Sequence, residues 1–147
     1  MKLLLAPLTA LSLAICIASA TAREQGNLDL GPAMVRMAEL EIEPAQLDAY
    51  KAILAAEQAT SVRLEPGVLM LHSVSIADDP TKIRLLEVYA NKSAYESHVR
   101  SPHFLKYKAL TANMVRSLRL IDTDPILLCS KTMATRVPQA VCLSPTK

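Results

Sequence analysis

Two apolar runs joined by a short polar connector constrain this chain more than any other feature. Val68 to Ile76 (V-L-M-L-H-S-V-S-I) and Ile83 to Ala90 both have the composition of strands. Between them Ala77-Asp78-Asp79-Pro80-Thr81-Lys82 has turn chemistry, so the two runs are expected to pair as an antiparallel hairpin. Glu65-Pro66-Gly67 stops whatever precedes the hairpin, and Asn91 or Ser93 can cap a short helix after it.

The flanks complete the pattern. Ala33 to Glu43 (A-M-V-R-M-A-E-L-E-I-E) partly alternates and ends at Pro44, which reads as a first strand. Pro44 suits the first turn of a helix, with Glu43 and Asp48 near its positive end. Leu47, Tyr50 and Leu54 form an apolar face of helical period that runs to about Arg63, and Ile53 widens it. After the hairpin, a short helix is expected through about Val99. Ser101-Pro102 then restarts a helix, with serine as N-cap and proline in the first turn, and Phe104, Tyr107 and Met114 share one of its faces. Arg116 to Asp124 reads as a helix end and loop. Ile126 to Ser130 (I-L-L-C-S) reads as the last strand, blocked from starting earlier by Pro125.

The order β-α-β-β-α-β is that of an α+β, ferredoxin-like domain: a four-stranded antiparallel sheet with both helices on one face. Hairpin residues of both parities are apolar, Leu69 and Leu71 against Val68, Met70 and Val74. A sheet apolar on both sides needs cover for its free face, and a symmetric homodimer is the expected cover.

Residues 1–22 have the three parts of a secretory signal peptide: Lys2, the apolar run Leu3 to Ile17, and the small residues Ala18-Ser19-Ala20-Thr21-Ala22. Cleavage is expected after Ala22, which makes the protein secreted or periplasmic. A spanning helix needs about 20 apolar residues, and this run is shorter and holds Pro7. No membrane insertion is expected once it is cleaved. Residues 23–32 read as a flexible leader, 33–130 as the domain and 131–147 as a tail. Losing the signal lowers the formal charge of +2 by one, and a near-neutral chain without a basic run argues against nucleic acid as partner. Cys16 leaves with the signal, so Cys129 and Cys142 remain. An even pair in an oxidising compartment suggests a disulfide, worth about 3 kcal/mol in the chain-entropy model; the alternative is a buried thiol and a tail thiol.

Chemistry-bearing residues concentrate between Glu87 and Tyr107. That stretch holds three of the four tyrosines, the one phenylalanine and two of the three histidines of a chain without tryptophan. A small-molecule site is sought there first. The histidines lack metal-ligand spacing and no acidic residue stands at a metal-site offset, so no metal is expected. No nucleophile elbow, phosphate loop or dinucleotide fingerprint is present.

Four segments stand in order that carry a resemblance: M-A-E-L-E-I-E-P, E-P-G-V-L, D-D-P-T-K-I-R-L-L-E-V-Y-A-N and A-Y-E-S-H-V-R-S-P-H-F. Over roughly residues 34–118 the chain resembles the antibiotic biosynthesis monooxygenase (ABM) family, in its small quinol-monooxygenase-like branch. The run from Glu87 to Phe104 is the most specific part. The resemblance implies a ferredoxin-like protomer, a dimer whose sheets form a shared α+β barrel, and a pocket between sheet and helices. It also implies oxygen chemistry on phenolic or quinol-type substrates with no metal, flavin or haem cofactor. The family also holds haem-degrading members and members acting on a signalling-molecule phosphoester, so fold alone does not name the substrate.

Cofactor-free oxygenation needs a base to deprotonate a phenol or enol, a dry pocket and a donor for the substrate oxygen. His98 is the first candidate for the base: it lies one turn from Tyr95 on the short helix and matches the family's helix histidine. Its alternative role is to cap or pack that helix. His103, in the first turn after Ser101-Pro102, and Glu87 are further catalytic candidates. His103 could instead be a solvated helix start, and Glu87 could form an internal ion pair with Arg84 or Arg100. Tyr89, Tyr95, Phe104, Tyr107 and His72 are candidate pocket walls. Spacing places His72 on a strand face with Val68, Met70, Val74 and Ile76. Tyr89 stands where the family often has tryptophan, which disfavours haem degradation. The expected function is an exported, cofactor-independent monooxygenase acting with dioxygen on a small aromatic or quinol. A ligand-binding module of the same fold, and a degradative isomerase-type relative acting on a small signalling metabolite, are the alternatives.

Overall fold

The hairpin forms where its composition places it, and the rest of the domain is laid against it. The computed structural model describes residues 27–29, 31, 33–132 and 139–144; the signal-peptide segment lies outside them. A short β1 (Asn27–Asp29) precedes β2 (Met34–Ile42), and a 3-10 turn at Pro44–Gln46 leads into α1 (Leu47–Leu64). The hairpin is β3 (Val68–Ser75) and β4 (Lys82–Tyr89), followed by α2 (Lys92–His98), α3 (Pro102–Thr111) and β5 (Val115–Thr123). β6 (Leu128–Thr132) and β7 (Gln139–Ser144) close the order. No helix among the described residues is long and apolar enough to cross a membrane.

The main sheet has the strand order β3-β4-β2-β5, antiparallel throughout. This is the ferredoxin-like arrangement, with the helices on one face. The caps expected from the sequence form: Asn91 Oδ1 accepts from Ala94 N at 2.9 Å, and Ser101 Oγ accepts from Phe104 N at 3.3 Å. Between sheet and helices lies the larger core, in which Ala38, Leu40, Ile42, Ile83 and Leu85 meet Tyr50, Leu54 and Tyr107.

Three expectations need correction. The fourth strand of the sheet is β5, in the segment read as helix end and loop. Arg116, Arg119 and Asp122 look like a solvated surface in sequence. In the sheet each has a partner from β2: Arg119 Nη2 lies 2.8 Å from Glu39, Arg116 Nη1 3.3 Å from Glu41, and Asp122 2.6 Å from Arg36 Nη2. Second, the run expected as the last strand overlaps β6, which belongs to a separate three-stranded sheet of order β1-β7-β6. Segments read as leader and tail thus meet, β1 running parallel to β7. Leu128 of β6 packs against Val35 and Val88 on the far face of the main sheet. In the β6–β7 register Cys129 lies directly opposite Cys142.

The third correction concerns His72. Val68 pairs with Tyr89 but Met70 pairs with Val88, so β3 carries one extra residue at the bulge. A single inserted residue inverts the parity of everything after it. His72 therefore shares the face of Leu86 and Val88, away from the helices, while Leu71 and Ser73 turn toward them.

Candidate active site

The cavity between sheet and helices holds about 620 Å³ and is walled by leucines from all four strands of the main sheet, including Leu40, Leu71 and Leu85. Glu57, Gln58, Glu87, Tyr89, Tyr95, His98, Phe104 and Tyr107 add its polar and aromatic surface. Its mouth faces β5, where the lining residues Leu118 and Leu120 stay 46% and 48% exposed. Rings run along the wall in sequence. Tyr95 meets Tyr89 edge-on at 5.4 Å between centroids, Tyr89 lies 5.4 Å from His98, and His98 lies 4.7 Å from Phe104. Phe104 continues to Tyr107 at 5.7 Å. The Tyr107 hydroxyl, 2.7 Å from that of Tyr50, is tied into the core.

His98 is 3% exposed and held by a carboxylate that the sequence reading overlooked. Glu65 caps the end of α1, and Pro66 after it favours the extended backbone found there (φ −105°, ψ 106°). Its Oε1 lies 2.9 Å from His98 Nδ1 and 2.6 Å from His103 Nε2. Burial alone would raise the Glu65 carboxyl, but the hydrogen bonds from both imidazoles outweigh it and hold the group below its ordinary range. An ionised carboxylate only accepts, so both contacting nitrogens carry protons. The other ring nitrogen of His98, Nε2, lies 3.9 Å from Glu57 Oε1. Glu57 in turn accepts from Ser61 Oγ at 2.6 Å.

Gly67 makes this meeting possible. A Cβ placed on it would stand 2.5 Å from Ala94 Cβ, so only glycine lets α2 lie against the turn that presents Glu65. Further along the wall, burial pushes the Glu87 carboxyl above its ordinary range, against the opposing pull of the Tyr89 hydroxyl, which donates to it at 3.3 Å. Burial, reinforced by Glu87, likewise raises the Tyr89 hydroxyl. Arg36 stacks over Tyr95 at 4.5 Å from the ring centre and is anchored by Asp122.

A model of the family described as antibiotic biosynthesis monooxygenase matches residues 33–110, just over half of the chain. The chain belongs to this family. A crystal structure from Bacteroides thetaiotaomicron, described as a candidate antibiotic biosynthesis monooxygenase, is 46% identical. It superposes with a TM-score of 0.63 over 64% of this chain and 90% of that one. A candidate monooxygenase from Lactobacillus acidophilus is 31% identical, with a TM-score of 0.61 over 62% of this chain and only 43% of its own length. A Nitrosomonas europaea protein with 22% identity and a TM-score of 0.61, covering 65% of this chain and 92% of that one, shares the fold. No curated protein matches this chain.

Within this ABM domain the sequence-based candidates divide. His98, Glu87, Tyr89, Tyr95, Phe104 and Tyr107 all line the cavity. His103 is not among the lining residues; it stands behind His98 as the second donor to Glu65. His72 is exposed on the opposite face of the sheet. Arg84, expected as a partner for Glu87, instead faces Glu39 at 3.4 Å. Glu57, Gln58 and Glu65 were missed because an acidic or amide residue on an Ala-rich helix reads as solvated. The signal was present: Glu57 and Ser61 extend the Tyr50–Leu54 face by whole helical turns.

The same three-dimensional meeting revises the metal argument. Glu57, His98 and His103 each offer a ligand atom within 4.8 Å of the other two. Two imidazoles and a carboxylate suit zinc or ferrous iron, and only the fold supplies the acid that local spacing lacks. As the residues stand, both imidazoles are hydrogen-bonded to Glu65, and Glu57 accepts from Ser61.

Proposed function

We propose that this ABM-family protein is an exported, cofactor-independent monooxygenase acting with dioxygen on a small aromatic or quinol substrate. The observation that carries the reading is His98: buried in the wall of a largely apolar cavity, its Nδ1 anchored on ionised Glu65, so that in the neutral ring Nε2 is the acceptor. In that state Nε2 can take the proton of a phenol, and the anion can then pass an electron to dioxygen. For a quinol the balance closes without a reductant: one oxygen atom enters the ring, the other leaves as water, and the ring supplies the electrons. The apolar wall keeps water from the reduced-oxygen intermediate. Tyr89, Tyr95 and Phe104 serve as the flat walls that hold an aromatic ring.

Oxygen uptake with a hydroquinone panel tests this, run with and without a strong chelator and repeated anaerobically. Uptake that survives the chelator and disappears in His98→Ala is the expected result. Ligand-dependent stabilisation with no uptake for any quinol would make the protein a binding module. Turnover that the chelator stops would assign the chemistry to a metal at the Glu57–His98–His103 cluster.

The proposal extends to the assembled protein. Val74, 61% exposed on the far face of the sheet, supports a homodimer buried through that face, which light scattering tests. The β6–β7 register supports a Cys129–Cys142 disulfide, tested by the mass change on reduction and alkylation. Export is tested by finding the mature N-terminus after Ala22 in a periplasmic or secreted fraction.

A further inference from the structure

His98 is held in the way that metal-binding histidines are held. Such a histidine gives its other ring N–H to a carboxylate, which orients the ring and raises its basicity. Here Nδ1 lies 2.9 Å from Glu65 Oε1, and the opposite nitrogen, Nε2, lies 3.9 Å from Glu57 Oε1. Among the described residues Nε2 makes no hydrogen bond, and it is not sealed in: the one sealed polar side-chain atom without a partner is Gln58 Nε2. His98 and Glu57 both line the cavity, so an ion can arrive through it. Glu57 is 7% exposed, accepts from Ser61 Oγ, and has no lysine or arginine partner among the described residues. A buried carboxylate without a full counter-charge is costly, and a bound cation offsets that cost. His103 completes the set, since ligand atoms of Glu57, His98 and His103 lie within 4.8 Å of one another. Ligands about 2.0–2.2 Å from a tetrahedral ion stand roughly 3.5 Å apart, so side-chain movements of about 1 Å close the set.

We propose that Glu57, His98 and His103 bind a divalent transition-metal ion of the zinc kind, and that the bound ion silences the enzyme. Two imidazoles select against magnesium and calcium, which take oxygen ligands. An ion on Nε2 occupies the atom that takes the phenol's proton, so the metal acts as a brake and not as a cofactor. The silencing rests on the reading of His98 as base; the site itself does not.

Calorimetric titration of the untagged, chelator-treated protein tests the site, with zinc chloride against magnesium chloride. A single zinc per chain and no magnesium is the expected result. His103→Asn and Glu57→Gln should each weaken zinc binding about tenfold or more, and Glu65→Gln, acting through His98, by about 10–100-fold. His72→Ala, on the other face of the sheet, should leave it unchanged. Cobalt titrated into the wild type tests the site without any substitution, through the visible absorption of a tetrahedral nitrogen and oxygen ligand set. Oxygen uptake with a hydroquinone should fall as zinc fills the site and return on chelation, and His103→Asn should need more zinc by the factor its binding has lost. No zinc uptake, or zinc uptake that survives both His103→Asn and Glu57→Gln, overturns the site. Zinc that binds but leaves oxygen uptake unchanged, or raises it, overturns the silencing. Should zinc bind while no quinol is turned over, the site stands and the monooxygenase reading falls, taking the silencing with it. Should zinc not bind while His98→Ala still abolishes oxygen uptake, only the metal site falls.

Discussion

His98 and His72 belong to opposite faces of the same four-stranded sheet. Over the helix-covered face His98 is buried, stacked between Tyr89 and Phe104, and fixed by an ionised Glu65. On the other face His72 is exposed beside Val74, paired in register with Leu86. The two imidazoles have the same intrinsic chemistry. What separates them is the company that burial enforces: a carboxylate bonded to Nδ1, aromatic rings on either side and the wall of a largely apolar cavity. The face bearing His98 encloses the cavity, and the face bearing His72 leaves apolar Val74 61% exposed.

The sharpest way to break this contrast is His98→Ala, expected to lower quinol turnover by about 10²–10⁴-fold, the usual worth of a positioned base, in an oxygen-electrode assay. Glu65→Gln comes next, with a loss on the order of 10²-fold, since a misplaced catalytic group costs that much. The same variant has a pH signature. The Glu65 carboxyl is held below its ordinary range in the folded state, so its stabilising effect is present above the ordinary carboxylate pKa. That effect is lost as pH falls through the lowered value. Acid melts of Glu65→Gln should therefore lack that part of the acid destabilisation of the wild type.

Gly67→Ala should cost about 1–3 kcal/mol by overpacking, because Ala94 belongs to a helix and cannot swing aside; chemical denaturation reads it. Glu87→Gln probes the opposite sign of linkage. Burial raises the Glu87 carboxyl, so wild-type stability falls as pH rises from the ordinary carboxylate pKa through that raised value, and the variant should flatten the decline in thermal melts over that range. His72→Ala closes the series with the smallest effect, within about 0.5 kcal/mol of wild type and with unchanged turnover. A large activity loss there would erase the distinction between the faces.

Much of this was open to reading in one dimension. The hairpin, the stop at Glu65-Pro66-Gly67 and the caps at Asn91 and Ser101 all depend on neighbours in the chain, and all formed. β5 was misread because Arg116, Arg119 and Asp122 stay exposed even in the strand, and only the pairing with β2 shows their counter-charges. The face of His72 was misassigned because a bulge in β3 becomes visible only once β4 sets the register.

Local pattern was enough for β2 through α3 and for the ring-rich stretch that walls the cavity, since periodicity, capping and turn chemistry act over a few residues, while the family was legible in the resemblance of four quoted segments. The surroundings of His98 needed the fold. Glu57 and Glu65 come from α1 and its cap, far along the chain from α2, and packing α2 over Gly67 brings them to the imidazole. Burial there turns residues that read as helix surface into an ionised anchor at Glu65 and a buried carboxyl at Glu57. Electrostatics of this kind depends on distance and on exclusion of water, and neither is written in sequence spacing.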